Sequence, residues 1–192
     1  MLPLLLASSS VYRRELLARL QLPFTCSSPD IDESPLAGES ATELVRRLAQ
    51  AKAQALAASH PGHLIIGSDQ VAVLDGKIIG KPHTFDKARE QLLAASGASV
   101  TFLTGLALLN SQSGHCQLDC IPFTVHMRTL DPASVERYLR AEQPYDCAGS
   151  FKAEGLGVIL LQRTEGPDAT SLIGLPLIRL VDMLLAEGVQ IP

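Results

Sequence analysis

Short apolar runs alternate with helix-type patterns through the first half of the chain, and this alternation limits the possible folds more than any other feature. The run over residues 2–7 is typical of a buried strand, and a Ser-rich turn joins it to a helical pattern over 11–20. Ser40 and Glu43 have capping-box spacing and predict a long helix that reaches about residue 59. Residues 63–68 then form a second strand pattern, so the sequence predicts strands covered by helices.

Longer strand patterns dominate the second half of the chain. Segments 71–74 and 77–79 flank Asp75-Gly76, a strong hairpin signal, and long strands are predicted over 100–110 and about 115–128. Further predicted elements are helices over 85–95, after an N-cap at Asp131, and over 177–186, with a strand over 157–162. The fold class that follows is α/β, with a mixed sheet flanked by helices in one domain over 1–192.

The composition fits a globular enzyme better than a disordered, membrane or nucleic-acid-binding protein. The 192 residues are 46% hydrophobic and 19% charged, which is enough apolar material for a substantial core. The net charge of −4 and the lack of a Lys/Arg tract disfavour a nucleic-acid surface, although a few converging cations can still hold a small anion. No segment approaches the roughly 20 apolar residues of a membrane span, and the start lacks a basic signal-peptide region. We therefore expect a cytoplasmic protein without a membrane partner.

The cysteines predict neither a disulfide framework nor a zinc site. Cys26, Cys116, Cys120 and Cys147 lack zinc-site spacing, and the histidines do not complete such a site. Cys116 and Cys120 fall in a strand pattern, where four residues span about 13 Å, too far for a mutual disulfide. Free thiols in a reducing compartment are the expectation.

A Ser-rich turn before the first predicted helix is a candidate phosphate site. The turn from Ser8 to Ser10 presents hydroxyls and backbone N–H groups, and the helix N-terminus adds positive potential. Arg13 and Arg14 are unfavourable to the helix dipole at this position, a local cost that makes sense if an arginine faces an anion. On spacing alone, a capped helix with solvated arginines is the alternative.

Acidic and basic side chains elsewhere could complete such a site. Asp69 follows the second strand pattern directly, and open α/β sheets place ligands at strand ends, where a carboxylate can bind a divalent cation or activate water. Lys81, in Gly-Lys-Pro, and Lys52, on a helix that otherwise turns alanines inward, can each direct charge towards phosphate. Glu33 adds an acid beside Asp32 on a polar loop. A turn-stabilising Asp, solvated lysines and a solvated loop are the alternatives.

The residues of these segments and their order along the chain resemble those of the Maf family of nucleotide pyrophosphatases. The matching segments are LASSSVYRRELL, DIDES, LAQAKA, IIGSDQ, GKP, TGLAL, AGSFKAEG and IGLP, and they extend from Leu4 to about Leu185. The resemblance implies hydrolysis of a nucleoside triphosphate to the monophosphate and pyrophosphate. It also implies two lobes around a cleft, similar to inosine triphosphate pyrophosphatases, a divalent metal cofactor (Mg²⁺ or Mn²⁺) and a homodimer.

Family roles fall on individual residues of this chain by motif position. Asp69 resembles the catalytic acid, and Lys52 and Lys81 resemble catalytic cations that contact phosphate. Ser8 and Arg13 resemble further phosphate contacts. Glu33, together with Asp69, resembles the pair of acids that the family associates with the metal.

Two motifs resemble the subfamily that acts on 7-methyl-GTP. Gly67-Ser68-Asp69-Gln70 and Ala153-Glu154-Gly155 stand where the pyrimidine-directed type typically has Gly-Ala-Asp-Thr and Ile-Gln-Gly. Tyr12 stands where the subfamily often has Trp, and both rings are aromatic. We therefore expect Tyr12, Gln70 and Glu154 to contact the base of the substrate.

Physical chemistry makes that base preference coherent. Methylation at N7 gives guanine a positive charge, which the face of Tyr12 would attract by about 0.5–2 kcal/mol. The carboxylate of Glu154 can accept hydrogen bonds from the guanine N1–H and amino groups. The alternatives are a broad-specificity or dTTP/UTP house-cleaning pyrophosphatase, and a non-catalytic nucleotide-binding regulator of septum formation.

Overall fold

The computed structural model describes residues 2–192 and has most of the predicted strands and helices, together with a strand over Phe24–Ser27 and a helix over Ala169–Ile173 that the sequence did not predict. The strands are β1 (Leu4–Ala7), β2 (Phe24–Ser27), β3 (Leu64–Leu74), β4 (Lys77–Ile79), β5 (Ser99–Asn110), β6 (Cys116–Met127) and β7 (Leu161–Glu165). The helices are α1 (Val11–Ala18), α2 (Ala41–Ala55), α3 (Phe85–Ala94), α4 (Pro132–Glu142), α5 (Ala169–Ile173) and α6 (Leu177–Ala186). Short 3-10 helices cover Ala148–Ser150 and Leu156–Leu160.

The strands form one mixed sheet over the described part of the chain, which confirms the predicted α/β class. Its order is β2-β1-β3-β5-β6-β7, and β4 pairs with β3. Strand β1 pairs in parallel with both β2 and β3, whereas the β3–β4 and β6–β7 pairs are antiparallel. From residue 2 to residue 192, no helix combines the length and the apolar character needed to cross a bilayer.

The chain divides into two compact units. The first takes in the chain up to Gln70 together with Thr104–Ile121 and Asp168–Pro192, and the second takes in Val71–Leu103 and Pro122–Pro167. The predicted single domain over 1–192 stays a prediction.

The sheet of the first unit carries a hydrophobic core on each face. Side chains alternate along a strand, so Leu4 and Leu6 of β1 pack with α1 and α6, while Leu5 packs with the alanines of α2. Helix α2 begins with the predicted capping box, because Ser40 and Glu43 exchange side-chain and backbone hydrogen bonds. The cap fixes the start of α2, and its small residues let it lie close to the sheet.

The second unit contains α3, α4, β4 and β7. Helix α4 begins at the predicted N-cap, where Asp131 accepts a hydrogen bond from Ser134 N and Pro132 takes the first helical position. Tyr138 of α4 is buried, and its hydroxyl accepts a hydrogen bond from Lys152 N at 3.1 Å. That contact ties the AGSFKAEG segment to α4.

Two predicted strand boundaries are wrong. The strands predicted over 63–68 and 71–74 are one strand, β3 (Leu64–Leu74), so Asp69 lies within a strand and not at its end. The strand continues because the polar side chains of Ser68 and Gln70 find buried hydrogen-bond partners. The strand predicted over 157–162 begins only at Leu161, because an apolar run alone does not separate a strand from a helical turn, and Leu156–Leu160 forms a 3-10 helix.

Candidate active site

A buried lysine and two carboxylates form the centre of the candidate site in the first unit. Lys52 Nζ donates a hydrogen bond to Asp69 Oδ1 at 2.7 Å and lies 3.0 Å from Glu33 Oε1. Lys52 and Asp69 are each 7% exposed, whereas the Glu33 side chain is 57% exposed. Burial of two charges costs desolvation free energy, so a buried ion pair is stable only when the two groups contact each other closely. The structure therefore brings together three predicted site residues and leaves the Glu33 side open to solvent.

The close approach of α2 to β3 explains how Lys52 reaches Asp69. Ala49 and Ala53 are fully buried on the helix face that carries Lys52. On β3, Gly67 lacks a Cβ atom that would collide with the carbonyl oxygen of Ala49. Because strand side chains alternate, Gly67 and Asp69 point to the same face of the sheet. The small residues thus place the lysine and the carboxylate together.

The Ser-rich turn is organised by its own hydroxyl groups. Ser8 Oγ accepts a hydrogen bond from Ser10 N at 3.1 Å, and Ser10 Oγ accepts one from Arg13 N at 3.3 Å. Ser10 is the N-cap of α1, and Ser8 is buried. The turn therefore holds the start of α1 in a fixed conformation, with Arg13 in its first turn.

The two adjacent arginines at the start of α1, Arg13 and Arg14, differ in burial and in contacts. Arg13 is partly buried and its Nε donates a hydrogen bond to Gly174 O at 2.8 Å, whereas Arg14 is exposed. Burial lowers the pKa of Arg13, and the carboxylates of Asp69 and Glu33 oppose that effect. The ordinary pKa of a guanidinium lies so far above neutral pH that Arg13 keeps its charge. Arg13 is therefore a partly desolvated cation under the influence of two acids.

Gln70 lies next to Asp69 in sequence, but its amide is bound within the first unit. Its Nε2 donates to Ser171 O at 2.8 Å and to Leu172 O at 3.1 Å, and lies 3.0 Å from Thr104 Oγ1. Ser68, which the sequence analysis did not single out, is fully buried beside it. The period-2 pattern of a strand was the signal that could have identified Ser68, because it puts Ser68, like Gln70, on the face of the strand opposite Asp69.

Asp168 is a second buried group that sequence reasoning missed. Its Oδ1 accepts hydrogen bonds from Thr170 N and Thr170 Oγ1, and its Oδ2 accepts one from Ile178 N at 2.9 Å. One carboxylate thus caps α5 and also binds the first turn of α6. Asp168 follows Pro167 in the sequence, and an Asp before a helix pattern was the available signal.

Tyr12 lies in the first turn of α1. The side chain is partly buried, and it follows Val11, which is 49% exposed. The aromatic ring thus belongs to the same helical turn as Arg13.

The other predicted site residues, Lys81 and Glu154, belong to the second unit, and both are exposed. The backbone before Lys81 is held firmly, because Gly80 O accepts hydrogen bonds from Gln91 Nε2 at 3.2 Å and from Gly149 N at 3.3 Å. Within the described residues, Lys81 takes part in no ion pair, so its charge is open to an external anion.

Glu154 lies in a turn after the 3-10 helix Ala148–Ser150. Partial desolvation raises the pKa of Glu154, and the like charges of Glu142 and Asp146 add to the rise. Lys152 opposes it and also pairs with Glu142 at 2.8 Å. The neighbouring acids therefore make the Glu154 carboxylate a good acceptor for a cationic group, because a positive charge relieves their repulsion.

Glu33 and Asp69 fit one kind of metal site. From residue 2 to residue 192, no group of three or more His, Cys, Asp or Glu side chains is arranged to hold a metal ion. Mg²⁺ is commonly bound through one or two carboxylates together with substrate phosphates. The carboxylates of Glu33 and Asp69 lie close together at the Lys52 ammonium, so they suit a metal ion that binds together with the phosphates of a nucleotide.

Comparisons with known proteins cover almost the whole chain. A family model described as Maf-like protein matches residues 3–187. The chain is 84% identical over 192 residues to the 7-methyl-GTP pyrophosphatase of Pseudomonas fluorescens, with 100% of both chains covered. Proteins of the same name from Pseudomonas aeruginosa and Alcanivorax borkumensis are 71% and 59% identical over 189 residues, which is 98% of this chain and 98% and 96% of theirs. A solved HAM1 protein from Coxiella burnetii is similar over 66% of this chain and 73% of its own, with a TM-score of 0.45 and 17% identity.

Proposed function

The chain belongs to the Maf-like protein family, and from that membership we propose that it hydrolyses 7-methyl-GTP to the monophosphate and pyrophosphate. The observation that carries the proposal is the buried Lys52–Asp69 pair, with Arg13 in the same unit. A protein that only bound a nucleotide would have little use for a buried acid held by a lysine, because an acid repels phosphate. A carboxylate there serves hydrolysis, since it can take a proton from water.

Asp69 acts as the general base in this proposal. Lys52 holds the carboxylate through Oδ1, which leaves Oδ2 to accept a hydrogen bond from water. The water oxygen attacks the α-phosphorus while its proton passes to Asp69. The bond between the α-phosphorus and the bridging oxygen breaks, and pyrophosphate leaves with that oxygen.

Cationic groups lower the barrier by offsetting charge on the phosphates. Arg13 presents a planar guanidinium that can bind two phosphate oxygens at once, and Lys81 presents a mobile ammonium. Ser8 adds a hydroxyl at the start of α1. Glu33 and Asp69 would hold a Mg²⁺ or Mn²⁺ ion, which neutralises phosphate charge when bound.

Tyr12 and Glu154 are the residues proposed to contact the base and to select it. The methylated guanine ring is cationic, so it gains from an aromatic face and from a carboxylate, whereas a neutral base gains less from either. The names of the relatives support this substrate, and Glu154 stands among acidic neighbours that favour a positive ligand.

A product assay tests the proposal directly. The wild-type chain is incubated with Mg²⁺ and 7-methyl-GTP, GTP, UTP or dTTP, and monophosphate, pyrophosphate and orthophosphate are each measured. We expect equal amounts of monophosphate and pyrophosphate, and the highest kcat/KM for 7-methyl-GTP. Chelation of the metal should stop turnover, and added Mg²⁺ should restore it. Orthophosphate as the primary product, or no turnover with metal present, contradicts the proposal.

We also propose a homodimer that acts in the cytoplasm without a nucleic-acid or membrane partner. The family resemblance supports the dimer, and the net charge of −4 disfavours a broad nucleic-acid surface. Light scattering of the purified chain should give about twice the 20.5 kDa of one chain. A mass of one chain at all concentrations would contradict the dimer.

A further inference from the structure

The backbone of Lys81 is fixed on both sides of the residue. On the side before it, Gly80 O accepts hydrogen bonds from Gln91 Nε2 at 3.2 Å and from Gly149 N at 3.3 Å. This carbonyl and the N–H of Lys81 belong to one rigid peptide plane. On the side after it, Pro82 is buried and favours extended backbone at Lys81. The Lys81 side chain is exposed, but it leaves the backbone in a defined direction.

Both ends of the Gln91 amide, on α3, are bound within the second unit. A backbone carbonyl only accepts hydrogen bonds, so the amide nitrogen must face Gly80 O. The amide oxygen then accepts a hydrogen bond from Ser150 Oγ at 2.5 Å. Ser150 is fully buried and has φ 57°, a left-handed conformation that is uncommon for serine and needs specific contacts to persist. Gln91 thus joins the backbone before Lys81 to the 3-10 helix Ala148–Ser150.

Helix α4 holds the segment that carries Glu154, and it does so without Gln91. On one side of Glu154, the backbone N–H of Lys152 donates a hydrogen bond to the Tyr138 hydroxyl at 3.1 Å. On the other side, the backbone N–H two residues after Glu154 donates to Glu142 Oε2 at 2.5 Å. Loss of the Gln91 amide therefore affects the backbone at Lys81 and leaves the contacts that hold Glu154 in place.

We propose that Gln91 is a positioning residue that fixes the peptide between Gly80 and Lys81, and thereby directs the Lys81 ammonium towards the phosphates of the substrate. The inference rests on the proposed function, in which Lys81 contacts phosphate. Without the Gln91 amide, the exposed Gly80 carbonyl can turn to water, and the backbone at Lys81 must then be ordered when phosphate binds, which costs affinity. The Gly149 contact remains, so the loss is partial.

A double-mutant cycle on the binding of inorganic tripolyphosphate with Mg²⁺, measured by calorimetry, tests the link to Lys81 without turnover. Gln91→Met keeps the length of the side chain and removes both amide contacts. It should weaken binding about threefold to tenfold in the wild-type background. In a Lys81→Ala background it should weaken binding less than about twofold, because the residue through which it acts is gone. Gln117→Met is the matched control, since it removes a glutamine hydrogen bond to Met183 O at 3.0 Å and should leave the affinity unchanged.

Steady-state kinetics of Gln91→Met with 7-methyl-GTP, GTP and UTP provide a second measurement. The phosphates are common to the three nucleotides and the contacts of the Glu154 segment persist, so kcat/KM should fall by the same factor, about threefold to tenfold, for each. A variant that only loosened the fold would lower the melting temperature without coupling to Lys81 in the binding cycle.

An additive cycle, unchanged tripolyphosphate affinity of folded Gln91→Met, a changed ratio among the three nucleotides, or no tripolyphosphate binding by the wild-type chain overturns the inference. If the wild-type chain binds tripolyphosphate but releases no pyrophosphate from any nucleotide, the proposed function fails, while the binding cycle still decides the role of Gln91. If Gln91→Met does not fold, Gln91→Asn takes its place with the same expected cycle. Asparagine keeps the amide, but it is one methylene too short to reach both Gly80 O and Ser150 Oγ.

Discussion

At the residue scale, Lys52 and Asp69 depend on each other for stability as well as for chemistry. Both are buried, and their charges are paired at 2.7 Å. Removal of one member of a buried pair leaves an uncompensated charge, which costs more than removal of both members together. The exposed carboxylate of Glu33 lies 3.0 Å from the same ammonium and can offset part of that cost.

Asp69→Asn should therefore reduce both kcat and stability. We expect kcat to fall by about 10²–10⁴, because asparagine cannot take a proton, and the free energy of unfolding to fall by about 1–3 kcal/mol. The double variant Lys52→Met/Asp69→Asn should regain stability without regaining activity. Glu33→Gln is the control for stability alone, since its exposed ion pair contributes at most about 1 kcal/mol. Denaturant unfolding and steady-state kinetics measure both effects, and near-normal kcat in Asp69→Asn rules out a base at this position.

Glu154→Gln should alter substrate choice with little effect on stability, because the side chain is exposed. We expect kcat/KM for 7-methyl-GTP to fall by about tenfold relative to UTP, from the loss of a charged hydrogen bond to the cationic base. Tyr12→Ala should narrow the difference between 7-methyl-GTP and GTP, and Tyr12→Trp should preserve it. An equal effect of Glu154→Gln on all nucleotides would remove this residue from base recognition.

At the element scale, two glycines of the family motifs serve the packing of α2 on the sheet. A Cβ atom at Gly67 would collide with the carbonyl oxygen of Ala49, and one at Gly105 would collide with that of Val45. Backbone atoms within a helix cannot rotate away as a side chain does. Helix α2 would have to move, and Lys52 would move with it.

Gly67→Ala and Gly105→Ala should each destabilise the protein by about 1–3 kcal/mol or more, because overpacking forces a backbone shift. Gly80→Ala is the control, since a Cβ atom there meets no heavy atom within 4 Å. Its free energy of unfolding should stay within about 0.5 kcal/mol of the wild-type value. Thermal and denaturant unfolding measure the three variants, and unchanged stability of Gly67→Ala would show that α2 is free to shift.

At the scale of the whole molecule, many carboxylates have lowered pKa values in the fold. The guanidinium of Arg47 lowers the pKa of Glu39 from 4.5 to about 2. Hydrogen bonds lower the pKa values of other acids in both units, among them Glu43, Asp131, Glu142 and Glu187. A group with a lowered pKa stabilises the fold above its unfolded pKa and loses that contribution as the pH falls through its folded value.

The melting temperature should therefore fall steadily as the pH drops from 4.5 towards 2, the range between the unfolded and folded pKa values of Glu39. Glu39→Gln should flatten part of this dependence, since the glutamine does not titrate. Scanning calorimetry in a pH series measures both curves. A melting temperature that stays constant down to pH 2 would show that these carboxylates are equally free in the unfolded chain.

The sequence by itself determined most of the elements and the residue types of the site. The capping box at Ser40, the hairpin at Asp75-Gly76 and the N-cap at Asp131 are local signals, and the structure confirms each, because a few neighbouring residues decide them. The Lys52 side chain stood out as a charge on an alanine-lined helix face, and that face is buried.

Only the tertiary structure decided what those residues do to one another. Local pattern placed Asp69 after a strand, yet it lies within β3, because the partners that satisfy Ser68 and Gln70 come from α5, about a hundred residues later. The distinction between a partly buried Arg13 and an exposed Arg14 likewise depends on Gly174. Contacts between residues so far apart in sequence follow from packing of whole elements, and periodicity along the chain carries no information about them.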